Sequence, residues 1–290
     1  MNKLVIFGVG LIGGSLALAL RQALPNLRIT GLGRSGDSLQ TARELGIIDT
    51  IATDAATALE NADMVVVAAP VAQTGSILQA IAPHVGEHTT ITDVGSTKGD
   101  VIEAARKTLG TRFPCFVPAH PIAGAEKSGA AAARADLFQG KNLVLTPTAD
   151  TDPAAIEKVR LMWQTAGAKV QTMTFAEHDG IFAAVSHLPH LLAFALVNEI
   201  ASRPNASQLF NFAASGFRDF TRIAGSSPEM WRDISLANRE ALLKELQSYQ
   251  QALTELFALL QMNDGSGLQA LFEHASNARN NWAAVQEIKK

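Results

Sequence analysis

Short apolar runs and longer stretches with helical spacing alternate along the first half of the chain. Residues 4–7 are wholly apolar and predict a buried strand. Residues 11–24 have helical spacing until Pro25 stops it. Residues 28–32 predict a second strand, and residues 38–45 a helix ended by Gly46. Residues 64–69 are all apolar before Pro70 and predict another strand. A helix over 74–81, a strand over 90–93 and a helix over 100–109 follow. Strands that alternate with helices through short links predict a parallel sheet covered on both faces. Further strands are predicted over 115–118, 143–146 and 169–174, with a helix over 153–165 between the last two.

After Thr174 the alternation stops. Helical segments are predicted over 175–201, 206–220, 228–261 and 267–285, with no strand among them. The division is therefore an α/β domain over residues 1–174 and an all-α domain over 175–290. The apolar-rich stretch 236–260 exceeds what a domain of this size needs for its own core. Helix packing between two subunits, giving a homodimer, is the expected use of it.

Composition narrows the class. The 290 residues are 47% hydrophobic and 18% charged, as in a globular protein able to bury a large core. A net charge of −3 lacks the basic excess of a nucleic-acid binder. The single cysteine, Cys115, has no intrachain disulfide partner and fits a reducing compartment. The apolar stretch 4–20 imitates a signal peptide or membrane anchor. It is interrupted by Gly8, Gly10, Gly13 and Gly14 and falls short of the about 20 apolar residues a span needs. It reads instead as strand, turn and helix, so a cytoplasmic chain without a membrane partner is expected.

That turn is the first piece of chemistry. Gly8-Val9-Gly10-Leu11-Ile12-Gly13 follows a predicted strand and opens a predicted helix, the context a dinucleotide-binding G-x-G-x-x-G requires. Gly8 permits the tight turn, Gly10 a close approach of backbone to pyrophosphate, and Gly13 close packing of helix on sheet. The amides that open the helix, at Leu11 and Ile12, face the pyrophosphate. The N-terminal domain is thus of Rossmann type. At the end of the second strand, where NAD enzymes carry a carboxylate for the ribose, the chain has Gly33-Arg34-Ser35, and no carboxylate occurs before Asp37. Arg34 and Ser35 suit a 2′-phosphate, which favours NADP while leaving NAD usable.

Four further motifs carry candidate chemistry. Asp93-Val94-Gly95-Ser96-Thr97-Lys98 lies at a strand's carboxyl end, where ligands bind in such sheets. His120, in Ala119-His120-Pro121-Ile122-Ala123-Gly124, is expected in a loop just after a strand and is suited to proton transfer. In Ser186-His187-Leu188-Pro189-His190 two histidines share a helical face that Pro189 is expected to kink. No Cys or carboxylate nearby completes a metal site, so no metal is expected. Arg218 and Arg222, four apart in Gly216-Phe217-Arg218-Asp219-Phe220-Thr221-Arg222, can face one pocket and grip a carboxylate, or pair with Asp219 and Glu229 at the surface.

The glycine-rich start, Asp-x-Gly-Ser-x-Lys, His-Pro-x-Ala-Gly, Ser-His-Leu-Pro-His and Gly-Phe-Arg-Asp-x-x-Arg-Ile-Ala, in this order from Val5 to about Trp231, resemble the prephenate/arogenate dehydrogenases of tyrosine biosynthesis. The resemblance implies a Rossmann domain, a helical dimerisation domain, and oxidation of a cyclohexadienyl ring hydroxyl with loss of the ring carboxylate as CO2. It also implies that His120 is the catalytic base and that Ser96 bonds the same hydroxyl or orients the histidine. Arg222 would bind substrate carboxylate, with Arg218 a second candidate, and His190 and His187 would line the substrate pocket. Glu126 is placed either to attract the ammonium of an arogenate-type substrate or to serve as a helix-start carboxylate. A monofunctional enzyme is expected. Two other readings remain: a β-hydroxyacid-type dehydrogenase, whose Lys-x-x-x-Asn helix is missing after Thr174, and a non-catalytic NADP-binding sensor.

Overall fold

A computed structural model describes residues 1–125 and 127–288. Six parallel strands, β1 (Lys3–Phe7), β2 (Arg28–Leu32), β3 (Thr50–Ile51), β4 (Met64–Val67), β5 (Thr90–Asp93) and β6 (Phe116–Val117), form one sheet in the order β3-β2-β1-β4-β5-β6. This is the doubly wound order, in which the strand sequence reverses between β1 and β4 and opens a crevice at their carboxyl ends. Helices α1 (Leu11–Ala23), α2 (Gly36–Glu44), α3 (Ala55–Leu59), α4 (Val71–Ile81) and α5 (Gly99–Leu109) supply the crossovers. The central strand shows why its apolar run is unbroken. Leu4 and Ile6 enter one core cluster and Val5 and Phe7 the other, so both faces of β1 are buried.

Three later strands leave this sheet. Pro118, which has no N–H to donate, separates β6 from β7 (Ala119–Pro121). β7 pairs antiparallel with β8 (Asn142–Leu145), and β8 pairs parallel with β9 (Lys169–Thr172). Helix α6 (Pro153–Thr165) buries Val159, Met162 and Trp163 against the α1 side of the main sheet. The strand Thr50–Ile51 and the one-turn helix Ala55–Leu59 are too short to leave a periodic signal.

The rest is helical: α7 (Phe175–Phe182), α8 (Leu188–Ala201), α9 (Ala206–Asn211), α10 (Ser215–Thr221), α11 (Pro228–Ala237), α12 (Arg239–Gln261) and α13 (Gly265–Ile288). Two predicted long helices are broken. The stretch 206–220 is divided between α9 and α10, and 228–261 is interrupted at Asn238, whose backbone leaves the helical region (φ −103°, ψ 31°). Between α7 and α8 the helical backbone is not interrupted. A wide π turn, Ala183–His187, precedes Pro189 and carries the helix through. By length and composition the stretch Phe175–Ala201 also suffices to cross a membrane. The described residues fall into two compact units, Met1–Ala241 and the segment from Leu242 onward. The second unit comprises most of α12 together with α13.

Candidate active site

The glycine turn has room where a dinucleotide needs it and none elsewhere. Gly8 has φ +94°, and a Cβ there would stand 2.5 Å from the carbonyl oxygen of Ala68 on the neighbouring strand end. A Cβ on Gly13 would stand 2.4 Å from the Gly8 carbonyl oxygen and 2.9 Å from Ile6. Above Gly10 nothing lies within 4 Å, so that face is open. Gly10 caps α1 without a side-chain partner, and the helix has no acidic residue in its first turn. The amides from Leu11 onward and the helix dipole are therefore available to an anion, and the turn fits a pyrophosphate. Gly13→Ala is expected to force the turn apart, costing about 1–3 kcal/mol and most of the dinucleotide affinity. Thermal unfolding with a cofactor titration checks this, and an unchanged affinity would contradict it.

Beyond β2, Arg34 and Ser35 are exposed. Ser35 caps α2, its hydroxyl oxygen accepting from the Ser38 amide at 3.3 Å, and its hydroxyl proton is available to donate. Asp37 lies in the first turn of α2.

His120 lies on β7 rather than in a loop. His120 is the middle residue of that strand, paired with Val144, because the β7–β8 ladder continues through Pro121 to Leu143. A buried ion pair anchors the strand to the end of β5. Lys98 Nζ donates to Asp93 Oδ2 and to the Ala119 carbonyl oxygen (2.9 Å), and Asp93 Oδ1 accepts the Ala119 amide at 3.0 Å. Both charged side chains are essentially inaccessible to solvent.

His120 does not stand alone. Its Nδ1 lies 2.9 Å from His178 Nε2, and His178 Nδ1 lies 2.7 Å from Asp179 Oδ1. Asp179 in turn accepts the amides of Lys98 (2.9 Å) and Gly99 (2.8 Å) at the start of α5. Phe182 packs edge-on against His120 at 4.8 Å. Burial, with help from His178, Lys98 and His187, pushes His120 well below the usual histidine range. Burial likewise lowers His178, although Asp179 opposes it. Burial alone would raise Asp179, but its bonds to His178, Gly99 and Lys98 prevail and hold it below the usual carboxylate range. At neutral pH both imidazoles are therefore neutral and Asp179 is ionised.

His187 and His190 sit one step further along. His187 is buried, and its Nδ1 accepts from Asn238 Nδ2 at 3.1 Å. The same amide donates to the Asp179 carbonyl oxygen at 2.8 Å. Burial lowers His187 to about 4. A bare Nδ1 leaves its Nε2 as a donor. His190 is half-buried and stacked on Trp231 with ring centroids 3.6 Å apart, and its Nδ1 donates to the Ser186 carbonyl oxygen, leaving Nε2 as an acceptor. The π turn makes this arrangement possible. In a regular helix the twelve-residue step from His178 to His190 would rotate the ring by about 120°. One extra residue in the turn reduces that to about 20°.

Of the remaining candidates, Ser96 is half-buried in the β5–α5 loop, and among the described residues no hydrogen bond joins it to His120. Arg222 begins a 3₁₀ turn after α10, and its charge bears on His190. Arg218, on α10, is largely exposed and lies 3.8 Å from Asp219, whereas Arg222 opens the 3₁₀ turn that follows. Glu126 lies outside the described residues. His178, Asp179, Asn238 and Trp231 are absent from the motif-based site. The adjacent His-Asp pair, directly after Glu177 at the start of the helical half, was the available signal.

Residues 16–172 match the family model described as prephenate dehydrogenase, nucleotide-binding domain, and residues 174–274 its dimerization domain. The chain belongs to the prephenate dehydrogenase family. It is 38% identical to the prephenate dehydrogenase of Bacillus subtilis over 96% of its own length and 75% of that protein's. It is 34% identical to the cyclohexadienyl dehydrogenase of Zymomonas mobilis, covering 96% of this chain and 95% of that one. Among solved structures, the Aquifex aeolicus prephenate dehydrogenase, in complex with hydroxyphenyl propionate and NAD+, superposes with a TM-score of 0.91. The identity is 37%, and 97% and 98% of the two chains are covered. Family membership makes the chain a nicotinamide-dinucleotide-dependent oxidoreductase with a Rossmann domain and a helical domain.

Proposed function

We propose that the chain catalyses oxidative decarboxylation of a cyclohexadienyl carboxylate, prephenate or arogenate, in tyrosine biosynthesis, with His120 as the general base. The observation that carries this reading is the neutral, part-buried imidazole of His120, held on β7 at the carboxyl-end side of the Rossmann sheet. It is supported by the relatives that bear these activities. A dinucleotide held by its pyrophosphate on the glycine turn would supply the hydride acceptor through its nicotinamide ring. His120 Nε2 draws the proton from the ring hydroxyl as its carbon gives up hydride. The electron pair of the bond to the ring carboxylate enters the ring as CO2 departs, and His120 returns the proton to the phenolate oxygen. Aromatisation drives the last step, so the protein needs no covalent intermediate.

Ser96 holds the same hydroxyl, Arg222 the substrate carboxylate, and His187 and His190 present one donor and one acceptor to the pocket. Arg218 and Glu126 remain secondary candidates for substrate binding. The Gly8–Gly13 turn, with the amides of Leu11 and Ile12, binds the pyrophosphate. The working domains are residues 1–174 and 175–290, supported by the two family matches. A homodimer is supported by the dimerization-domain match and by exposed Leu253, Phe257 and Leu260 on α12 and Phe272 and Trp282 on α13. A small-molecule substrate and a single, unpaired cysteine fit a cytoplasmic enzyme.

NADP is the proposed preferred dinucleotide, on the exposed Arg34 and Ser35 and the absence of a carboxylate between the end of β2 and Asp37. Arg34→Ala is expected to weaken NADP by about 1.5–3 kcal/mol and NAD much less. Equal losses, measured by fluorescence titration, would show that Arg34 does not read the phosphate. Purified protein supplied with NADP or NAD and with prephenate, arogenate or a β-hydroxyacid tests the reaction itself. Cofactor reduction is expected with a cyclohexadienyl substrate. Reduction with the hydroxyacid alone would overturn the reading.

A further inference from the structure

We propose that His178 and Asp179 are positioning residues that hold His120 in its Nδ1–H tautomer, so that Nε2 is the lone pair offered to the substrate hydroxyl. The inference rests on the reading of His120 as the base.

Each proton in the chain of contacts has one possible place. An ionised carboxylate only accepts, so the proton between Asp179 Oδ1 and His178 Nδ1 belongs to His178. A neutral imidazole carries one N–H, so His178 Nε2 is bare and accepts. The proton of the 2.9 Å contact therefore belongs to His120 Nδ1. His120 is also neutral, which leaves its Nε2 unprotonated. The origin of this order is Asp179, which accepts two amides at the start of α5, an eleven-residue helix. Those amides favour its charge and prevent its rotation away from His178.

The surrounding charges keep the chain neutral above its terminal carboxylate. Lys98, paired with Asp93 beneath β7, opposes protonation of both His120 and His178, and neutral His187 flanks them from the π turn. When His120 takes the substrate proton, its Nδ1–H keeps donating to His178 Nε2, and the Asp179 carboxylate beyond stabilises the positive charge without taking a proton. One imidazole, that of His178, thus separates the base from its carboxylate. This spacing lets β7 carry the base while α7 carries the carboxylate.

Asp179→Asn separates tautomer from shape. Its carbonyl oxygen can keep an α5 amide while its NH2 donates to His178 Nδ1. That moves the His178 proton to Nε2, which then donates to His120 Nδ1, and the His120 proton moves to Nε2, where it blocks the base. His178→Gln is the conservative partner, because its amide oxygen can accept from His120 Nδ1–H and preserve the tautomer. Nitrogen-15 NMR of histidine-labelled full-length protein reads the His120 tautomer directly, and steady-state kinetics read kcat apart from KM.

The expected result is Nδ1–H His120 in the wild type and in His178→Gln, and Nε2–H His120 in Asp179→Asn. With it, kcat falls about 10²–10⁴-fold in Asp179→Asn at near-normal KM, and substantially less in His178→Gln. An Nε2–H His120 in the wild type, or an unchanged His120 tautomer in folded Asp179→Asn, overturns the proposal. An inverted tautomer with full turnover supports the positioning and overturns His120 as the base, which is a separate failure.

Discussion

The His120→Asn variant is expected to bind dinucleotide normally and to lose turnover by roughly 10²–10⁴-fold. Asparagine retains a donor near the position of Nδ1, so the contact to His178 survives and β7 is undisturbed. What disappears is the basic lone pair. The pH dependence of the wild type carries the same information. The His120 imidazole is held well below its ordinary range by burial and by the nearby His178, Lys98 and His187. Only the unprotonated ring acts as a base, so activity is lost as pH falls through the lowered value. kcat/KM should therefore stay level through the ordinary histidine range, about pH 6.5, and fall only below it. A limb at or above that range, or residual turnover within a few-fold of wild type in His120→Asn, would remove His120 from the chemistry.

Lys98→Met is expected to be the most destabilising of the single substitutions considered. Lys98 and Asp93 are both inaccessible, and methionine would leave the Asp93 carboxylate with only the amides of Gly95 and Ala119. Removing one partner of a buried pair costs about 3–5 kcal/mol. For a chain of this size that lowers the melting temperature on the order of 10 °C. Because Lys98 also holds the Ala119 carbonyl, the residue before His120, activity should fall even in the folded fraction. Calorimetry of Lys98→Met beside Asp93→Asn/Lys98→Met separates the two causes. The double variant should recover part of the stability, since the unpaired charge is gone, without recovering activity. A single variant as stable as wild type would show that the pair does not hold β7 to β5.

The main sheet was readable in the chain because a strand buried on both faces has to be continuously apolar, as in residues 4–7 and 64–67, and the glycine turn fixed which helix follows it. The helical half was readable only as helical. Periodicity cannot see that Asn238 turns its side chain inward to bond Asp179 and His187, which breaks one predicted helix in two. Nor does it register a π turn that absorbs one residue. His120 was identified by its His-Pro motif, but its place inside a strand depends on a ladder with residues 143–145, more than twenty positions later. His178 and Asp179 were missed for a related reason. Their chemistry consists in meeting His120 and the start of α5, contacts set by tertiary packing that leave no local pattern beyond an acid beside a histidine.

The most direct test of the central claim is stoichiometry with ring-carboxylate-labelled prephenate or arogenate and purified full-length protein. One CO2, one reduced dinucleotide and one para-hydroxyphenyl product per substrate consumed is the predicted result. Reduced dinucleotide without labelled CO2, or no reduction with either substrate, would contradict it.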